Sequence, residues 1–557
     1  MYYNGIYHLF YQYNPYGPLW GNITWAHSVS YNLIDWIHLD IALSPTDPNL
    51  DIIGCWSGST TLLPGNKPAI LYTGGDSKNR QVQNLALPKN LSDPFLIEWI
   101  KSPLNPLLTP IDDIDPSSFR DPTTAWRGPD NIWRVTIGAR INGFGVALLY
   151  KSSDFLKWTR FETPLYLSKK NSVMWECLDF FPIGIKGSDG DNHYLNQDQF
   201  KKKYVLKASF QFISREYYIL GEYSPKTEEF KVESEFMDQN CDLRLDYGKF
   251  YASKSFYDSQ KMRRVLWGWV NESYSETDAS KWFGLQSFPR SILLSKSGRQ
   301  LVQWPIEEIE KLRSDDEKVS LQNKELRSDS LFEISGVTAS QADVEVSFEV
   351  TELEETELMD PSWVDPQLLC DEKNASVRGK IGAFGLLVLA SNDLSEQTAI
   401  FFRIFKTNNN KSEKKKYVVL MCSDQSKSSL RNDLDKTTYG AFQDIDPLHE
   451  KITLRTLIDH SIVESFGGEG MSCITTRVYP ILAINKGAHL YVFNNGTNSV
   501  KLSKLNAWSL RNARFFFMER RRTLVRPLFS SLYLRIYIVC CSIFLRHFVI
   551  FAYSSYD

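Results

Sequence analysis

The segment MWECLDFF, residues 174 to 181, sets Glu176 between a tryptophan and a cysteine, with Asp179 three residues on and an apolar run behind. A carboxyl group walled by an indole and a thiol ionises at a higher cost, which is how a protein keeps a general acid protonated near neutral pH. Such an acid needs a partner. Asp121 in FRDP is a second candidate, because Arg120 beside it would hold a carboxylate ionised or shift a neighbour's pKa. Two carboxyl groups about 5 Å apart are the equipment for breaking a glycosidic bond with retention, one as nucleophile and one as protonated acid. Each residue alone also has an ordinary reading, since RDP is a common turn and acids cap loops.

Other reactive-looking groups point elsewhere. LIDHSIVESF offers Asp459, His460, Ser461 and Glu464, but strand neighbours face opposite ways, so a packed strand with a hydrogen-bonded histidine is the expectation. The glycines of TGGD and FGGEG lack the strand-loop-helix context of a phosphate cradle, so no cofactor is expected. The eight cysteines are scattered without C-x-x-C spacing, which excludes a zinc cluster, and no metal is expected.

With 557 residues and 43% apolar content, the chain exceeds what one core serves, so two domains are expected. A net charge of -3 gives no footprint for nucleic acid or anionic membrane, and neutral ligands rise in its place. Fifteen Trp and 27 Tyr suit strand faces and also stack on the apolar faces of sugars.

The elements that must position the acids read as strands. GIYHLFYQY, PAILYTGG, WRVTIGAR, VALLYKSSD, KYVLKASF, REYYILGEY and RRVLWGWV are bounded by turn residues. A weak repeat, NLIDWIHL, PFLIEWIK and DFLKWTRF, places Trp36, Trp99 and Trp158 roughly sixty residues apart, room for four short strands. About five such units fit in residues 1–305, which predicts an all-β chain opening on a five-bladed β-propeller whose innermost strands point acids at one axis. Residues 306–329 are charged and helix-permissive, a predicted linker. Residues 330–515 alternate again without helices, a predicted β-sandwich. Residues 516–557 break the style, and neither apolar stretch between its arginines reaches the ~20 residues of a membrane span, so an extension foreign to the fold is expected. The start, MYYNGIYHLFYQYNP, enters a strand abruptly without signal-peptide features, so the propeller is expected to lack its first strand here.

Taken together, YHLFYQYNPYG, WGNITWAHSVS, GCWSGS, SFRDPTTAW, MWECLDFFPI, LDYGKFYASKSFYD, RRVLWGWVNES, QSFPR and TLIDHSIVESFGG resemble the plant acid β-fructosidases of glycoside hydrolase family 32, the cell-wall invertases and fructan exohydrolases. The resemblance covers residues 1 to about 515 and implies a propeller followed by a sandwich. It implies Glu176 as acid/base, Asp121 as transition-state stabiliser with Arg120 beside it, and Gln12, Trp20, Trp56 and Ser57 as the lining of a fructose pocket. It implies a sandwich disulfide between Cys422 and Cys473, an extracellular protein of the cell wall, and fructan or sucrose bound by a monomer. The family's nucleophile, the aspartate of an N-D-P-N-G motif, falls just before the strand that opens this sequence, so the chain as written is expected to be impaired. Where invertases carry an aspartate and, three residues on, a lysine that contact glucose, this chain has Gln211 and Ser214. The exchange favours fructan over sucrose, and the rest of the chain resembles the plant exohydrolases that trim both 2,6- and 2,1-linked fructans; invertase and an inactive fructan-binding protein are the alternatives.

Overall fold

The computed structural model describes residues 1–111, 113–168, 174–184, 203–210, 214–233, 243–272, 283–407 and 416–518. Five antiparallel sheets of four to six strands follow one another to Pro305 and pack side by side, the fifth against the first, closing a five-bladed propeller. The tryptophan repeat marks its blade edges. Trp36 and Trp99 open the outer strands Trp36–His38 and Trp99–Lys101, and Trp158 immediately precedes Thr159–Arg160. Ahead of each, Asn32, Asp93 or Asp154 accepts backbone N–H groups of its own turn. A nearby apolar residue, Leu33, Leu96 or Phe155, turns at positive φ and is buried. Short polar side chains that satisfy their own turn are what such a corner needs.

Two six-stranded sheets form the sandwich, their core built from alternating residues such as Val344, Val346, Phe348, Phe384, Leu386 and Val388. Three expectations need correction. Residues 306–329 are not a linker. They form the 3-10 turn Glu307–Leu312 and the long strand Arg313–Leu326, paired with Val500–Leu510 in one sandwich sheet. That strand lies at the sheet's edge and is exposed for most of its length, so its charges mask its periodicity. Phe515–Phe517, where the foreign tail was expected to begin, returns to the propeller and pairs in parallel with Trp36–His38 as an outer strand of blade one.

Cys422 is bonded to Cys370, not to Cys473. Cys422 lies in the sheet that packs under the helix Pro366–Glu372, which carries Cys370. Cys473 belongs to the other sheet, where it is buried as a free thiol among Tyr7, Trp36, Phe466 and other residues of both domains. Among the described residues no helix is long and apolar enough to cross a membrane.

Candidate active site

A funnel of about 1480 Å³ opens on the propeller axis, lined by the first strands of the blades. Ile6–Tyr13 brings Gln12, Gly54–Leu63 brings Trp56 and Ser57, Phe119–Arg120 leads into Asp121, Trp175–Ile183 carries Glu176, and Phe250–Asp258 carries Tyr251. In three of these blades the ladder slips at the funnel. Trp56 and Ser57 lie between the paired residues Cys55 and Gly58, opposite Thr73 alone. Cys177 and Leu178 likewise face only Ala208, and Ala252 and Ser253 face only Gly268. Each slip is a β-bulge, which bends the strand and re-aims the side chains beside it. Asp121, Cys177 and Ala252 all adopt positive φ, at 67°, 48° and 51°, a region costly for residues with a Cβ.

Glu176 and Asp121 meet around one guanidinium. Arg120 Nη2 donates to Glu176 Oε1 at 2.5 Å, and its Nε lies 3.9 Å from Asp121 Oδ2. The backbone N–H of Cys177 donates to Asp121 Oδ2 at 2.6 Å, tying the two acids through the bulge. Arg120 is itself anchored by Gln81 Oε1, which accepts from its Nη1 and from the Phe119 N–H, both at 2.9 Å. Burial raises Asp121 above the ordinary carboxylate range, against the opposing pull of Arg120 and the Cys177 N–H. Burial works against the charge of Arg120, yet the carboxylates of Asp121 and Glu176 hold its pKa above the usual value.

The indole expected to wall Glu176 is not there. Trp175 points to the opposite face, stacked on Tyr166 with centroids 5.1 Å apart, because neighbours on a strand alternate. What Glu176 meets instead comes from the two neighbouring blades: Arg120, and Tyr251, whose hydroxyl donates to Oε2 at 2.5 Å. Burial first, and the Glu176 carboxylate second, push that phenol far above its ordinary pKa. Asp179 is turned away from the funnel, accepting from the backbone N–H and the hydroxyl of Ser255.

Gln12 Nε2 donates to Ser57 Oγ at 2.9 Å, and the Trp20 and Trp56 rings lie 6.4 Å apart. Trp20, 63% exposed, stands at the rim, where an apolar face is open to a ligand. Ser214 also lines the funnel, while Gln211 lies outside the described residues. Among the described residues no three acids, histidines or cysteines are grouped to hold a metal ion. His460 sits in a turn of the sandwich, and Glu464 faces the propeller, paired with Arg290. Sequence reasoning gave no role to Tyr251 or Gln81. LDYGKFYASKSFYD was recognisable as a motif, but nothing in its pattern says that its tyrosine crosses to another blade.

Residues 1–305 match the glycosyl hydrolases family 32 N-terminal domain, and residues 308–509 match the family's C-terminal domain. The chain is 55% identical to an insoluble-isoenzyme beta-fructofuranosidase of Arabidopsis thaliana over 92% of its length and 88% of that protein's. It is 53% identical to the fructan 6-exohydrolase of Beta vulgaris, over 92% and 84%. The crystal structure of fructan 1-exohydrolase IIa from Cichorium intybus superposes with a TM-score of 0.87 at 51% identity, covering 93% of this chain and 95% of that one. The chain belongs to glycosyl hydrolase family 32.

Proposed function

We propose that this protein is an exo-acting fructan hydrolase that releases terminal β-fructose from 2,6- and 2,1-linked chains by double displacement. The observation that carries the reading is the Glu176–Arg120–Asp121 cluster, two carboxylates sharing one guanidinium inside a funnel with tryptophans at its mouth. Glu176 would protonate the departing oxygen and later deprotonate the attacking water. Asp121 would hold the sugar ring as positive charge develops on it, and Arg120 would fix both acids. Gln12, Trp20, Trp56 and Ser57 would line the fructosyl site.

The covalent step needs a third carboxylate. By resemblance it is the aspartate of N-D-P-N-G, a motif that residues 1–557 do not contain. Turnover is therefore to be measured on protein that carries this motif ahead of Tyr2. Residues 1–557 alone are expected to bind fructosides and to cleave them at least ~10³-fold more slowly.

Sucrose is the competing substrate, since relatives named beta-fructofuranosidase and fructan exohydrolase are about equally similar. Ser214 in the funnel, where the resemblance gives invertases a lysine, favours fructan. Fructose release from inulin, levan and sucrose decides: a kcat/KM for sucrose above that for both fructans would make the protein an invertase. Glu176→Gln should abolish turnover and leave ligand binding intact, and persistent cleavage would remove Glu176 from the chemistry. A relative named a cell wall isozyme and the Cys370–Cys422 disulfide support an extracellular location.

A further inference from the structure

The bulges that shape the funnel leave backbone groups outside their ladders, and buried polar groups of this kind must find partners elsewhere. In blade four the Cys177 N–H goes to Asp121, and the Cys177 carbonyl accepts from Lys207 Nζ at 2.9 Å. In blade five the Ser253 carbonyl accepts from the same Lys207 Nζ at 2.6 Å, and the Ser253 N–H donates to Glu216 Oε1 at 2.8 Å. Lys207 and Glu216 are ion-paired at 2.9 Å, their side chains 2% and 0% exposed. Glu216 is completed by the hydroxyls of Ser209 and Ser253. Lys254, next to the second bulge, reaches back to the first, donating to the Leu178 carbonyl at 2.7 Å.

One buried ammonium and one buried carboxylate thus hold two bulges on neighbouring blades. The first bulge adjoins Glu176 and the second adjoins Tyr251, the group that donates to Glu176. Neither Lys207 nor Glu216 lines the funnel, so neither meets substrate. An ion pair removed from water on both sides is a poor source of stability compared with packed apolar residues. Its position between the bulges gives it another purpose.

We propose that Lys207 and Glu216 form a positioning clasp that sets the distance between blades four and five and so aims Glu176 between Tyr251 and Arg120. The proposal rests on the assignment of Glu176 as acid/base, and it concerns how that residue is held. Lys207→Met alone would strand Glu216 without a counter-charge, so the informative variant is Lys207→Met combined with Glu216→Gln.

In protein that carries the N-D-P-N-G motif this double variant should stay folded and lower kcat about 10- to 100-fold, with KM within about twofold of the parent, because binding groups are untouched and only the aim of the acid is lost. Adding Tyr251→Phe should cost the double variant no more than about a further twofold, since the clasp acts through the same contact. Fully multiplicative losses, or a kcat equal to the parent's, would overturn the clasp. Deuterium exchange gives a readout independent of catalysis. The segments 175–183 and 250–258 should lose protection together in the double variant and keep it in Tyr251→Phe. Unchanged protection, or loss in one segment only, would refute the coupling. Should the parent cleave no fructoside, the proposed function falls while the exchange result still decides the clasp.

Discussion

Two of the buried arginines that sit between carboxylates, Arg290 and Arg120, answer to different demands. Arg290, Asp246 and Glu464 join propeller to sandwich with side chains 0% exposed. Arg290 donates to Asp246 at 3.0 Å, Glu464 at 2.6 Å and Thr475 at 2.7 Å. The remaining carboxylate oxygens are taken up by the backbone N–H groups of Phe288, Gly248 and Thr475. Arg120 makes one short contact with a carboxylate, Glu176, a second bond to Gln81 and one long approach to Asp121, and its walls open on the funnel. Its carriers also sit on distorted backbone, whereas Arg290 and Glu464 sit on regular antiparallel ladders. What separates the two clusters is access, not composition. A sealed cluster serves the fold, and an open one can serve a ligand.

Replacing each arginine by methionine would put that contrast at risk. Arg120→Met should lower kcat/KM for fructans by about 10²- to 10³-fold, the scale of a lost preorganised charge in an active site. Its stability should change less, because one of the two acids it leaves behind, Glu176, is partly exposed on the funnel and keeps the Tyr251 hydroxyl. Arg290→Met should do the reverse, removing about 3–5 kcal/mol of stability by stranding two sealed carboxylates while kcat per folded molecule holds. Denaturant titration alongside fructose release checks both. Equal damage to turnover by the two variants would erase the distinction. A finer probe is Tyr251→Phe, which removes one hydrogen bond to a charged group at the open cluster, worth about 1.5–3 kcal/mol or roughly 10- to 100-fold in kcat/KM. An unchanged rate would mean that Arg120 alone orients Glu176.

The same contrast shows what a sequence discloses. The blades were legible because their corners are local chemistry: Asn32, Asp93 and Asp154 satisfy turns a few residues long, and the tryptophans after them recur in register. The sandwich strands were legible by alternation. Arg313–Leu326 was not, because only Val319, Leu321 and Leu326 pack toward the core, too few apolar residues among the charges to show a period. The disulfide partner of Cys422 depended on which sheet lies under a seven-residue helix, a tertiary fact with no trace in spacing. The surroundings of Glu176 were misread because the indole beside it in sequence faces away from it in a strand, and its real neighbours come from two other blades. Tyr251 and Lys207 escaped for a related reason. Their partners lie at bulges on other strands, and nothing in YASKSF or MWECLDF announces where the extra residue falls.

The smallest expected effect tests whether burial or pairing governs the open cluster. The folded-state pKa of Asp121 is raised, burial outweighing Arg120 and the Cys177 N–H. A raised carboxylate means that the folded chain binds its proton more tightly than the unfolded chain, so stability falls as pH rises from the ordinary carboxylate range through the folded value. Above that window the whole deficit is present. Asp121→Asn cannot ionise and keeps an oxygen for the Cys177 N–H, so its Tm relative to the parent should climb across the same window. The gain should be absent at a pH below the ordinary carboxylate range, where both side chains are neutral. Its turnover should be lost at every pH. A relative Tm that falls with rising pH would mean that the guanidinium more than repays the desolvation of Asp121, and the open cluster would then resemble a stabilising pair more closely than a strained one.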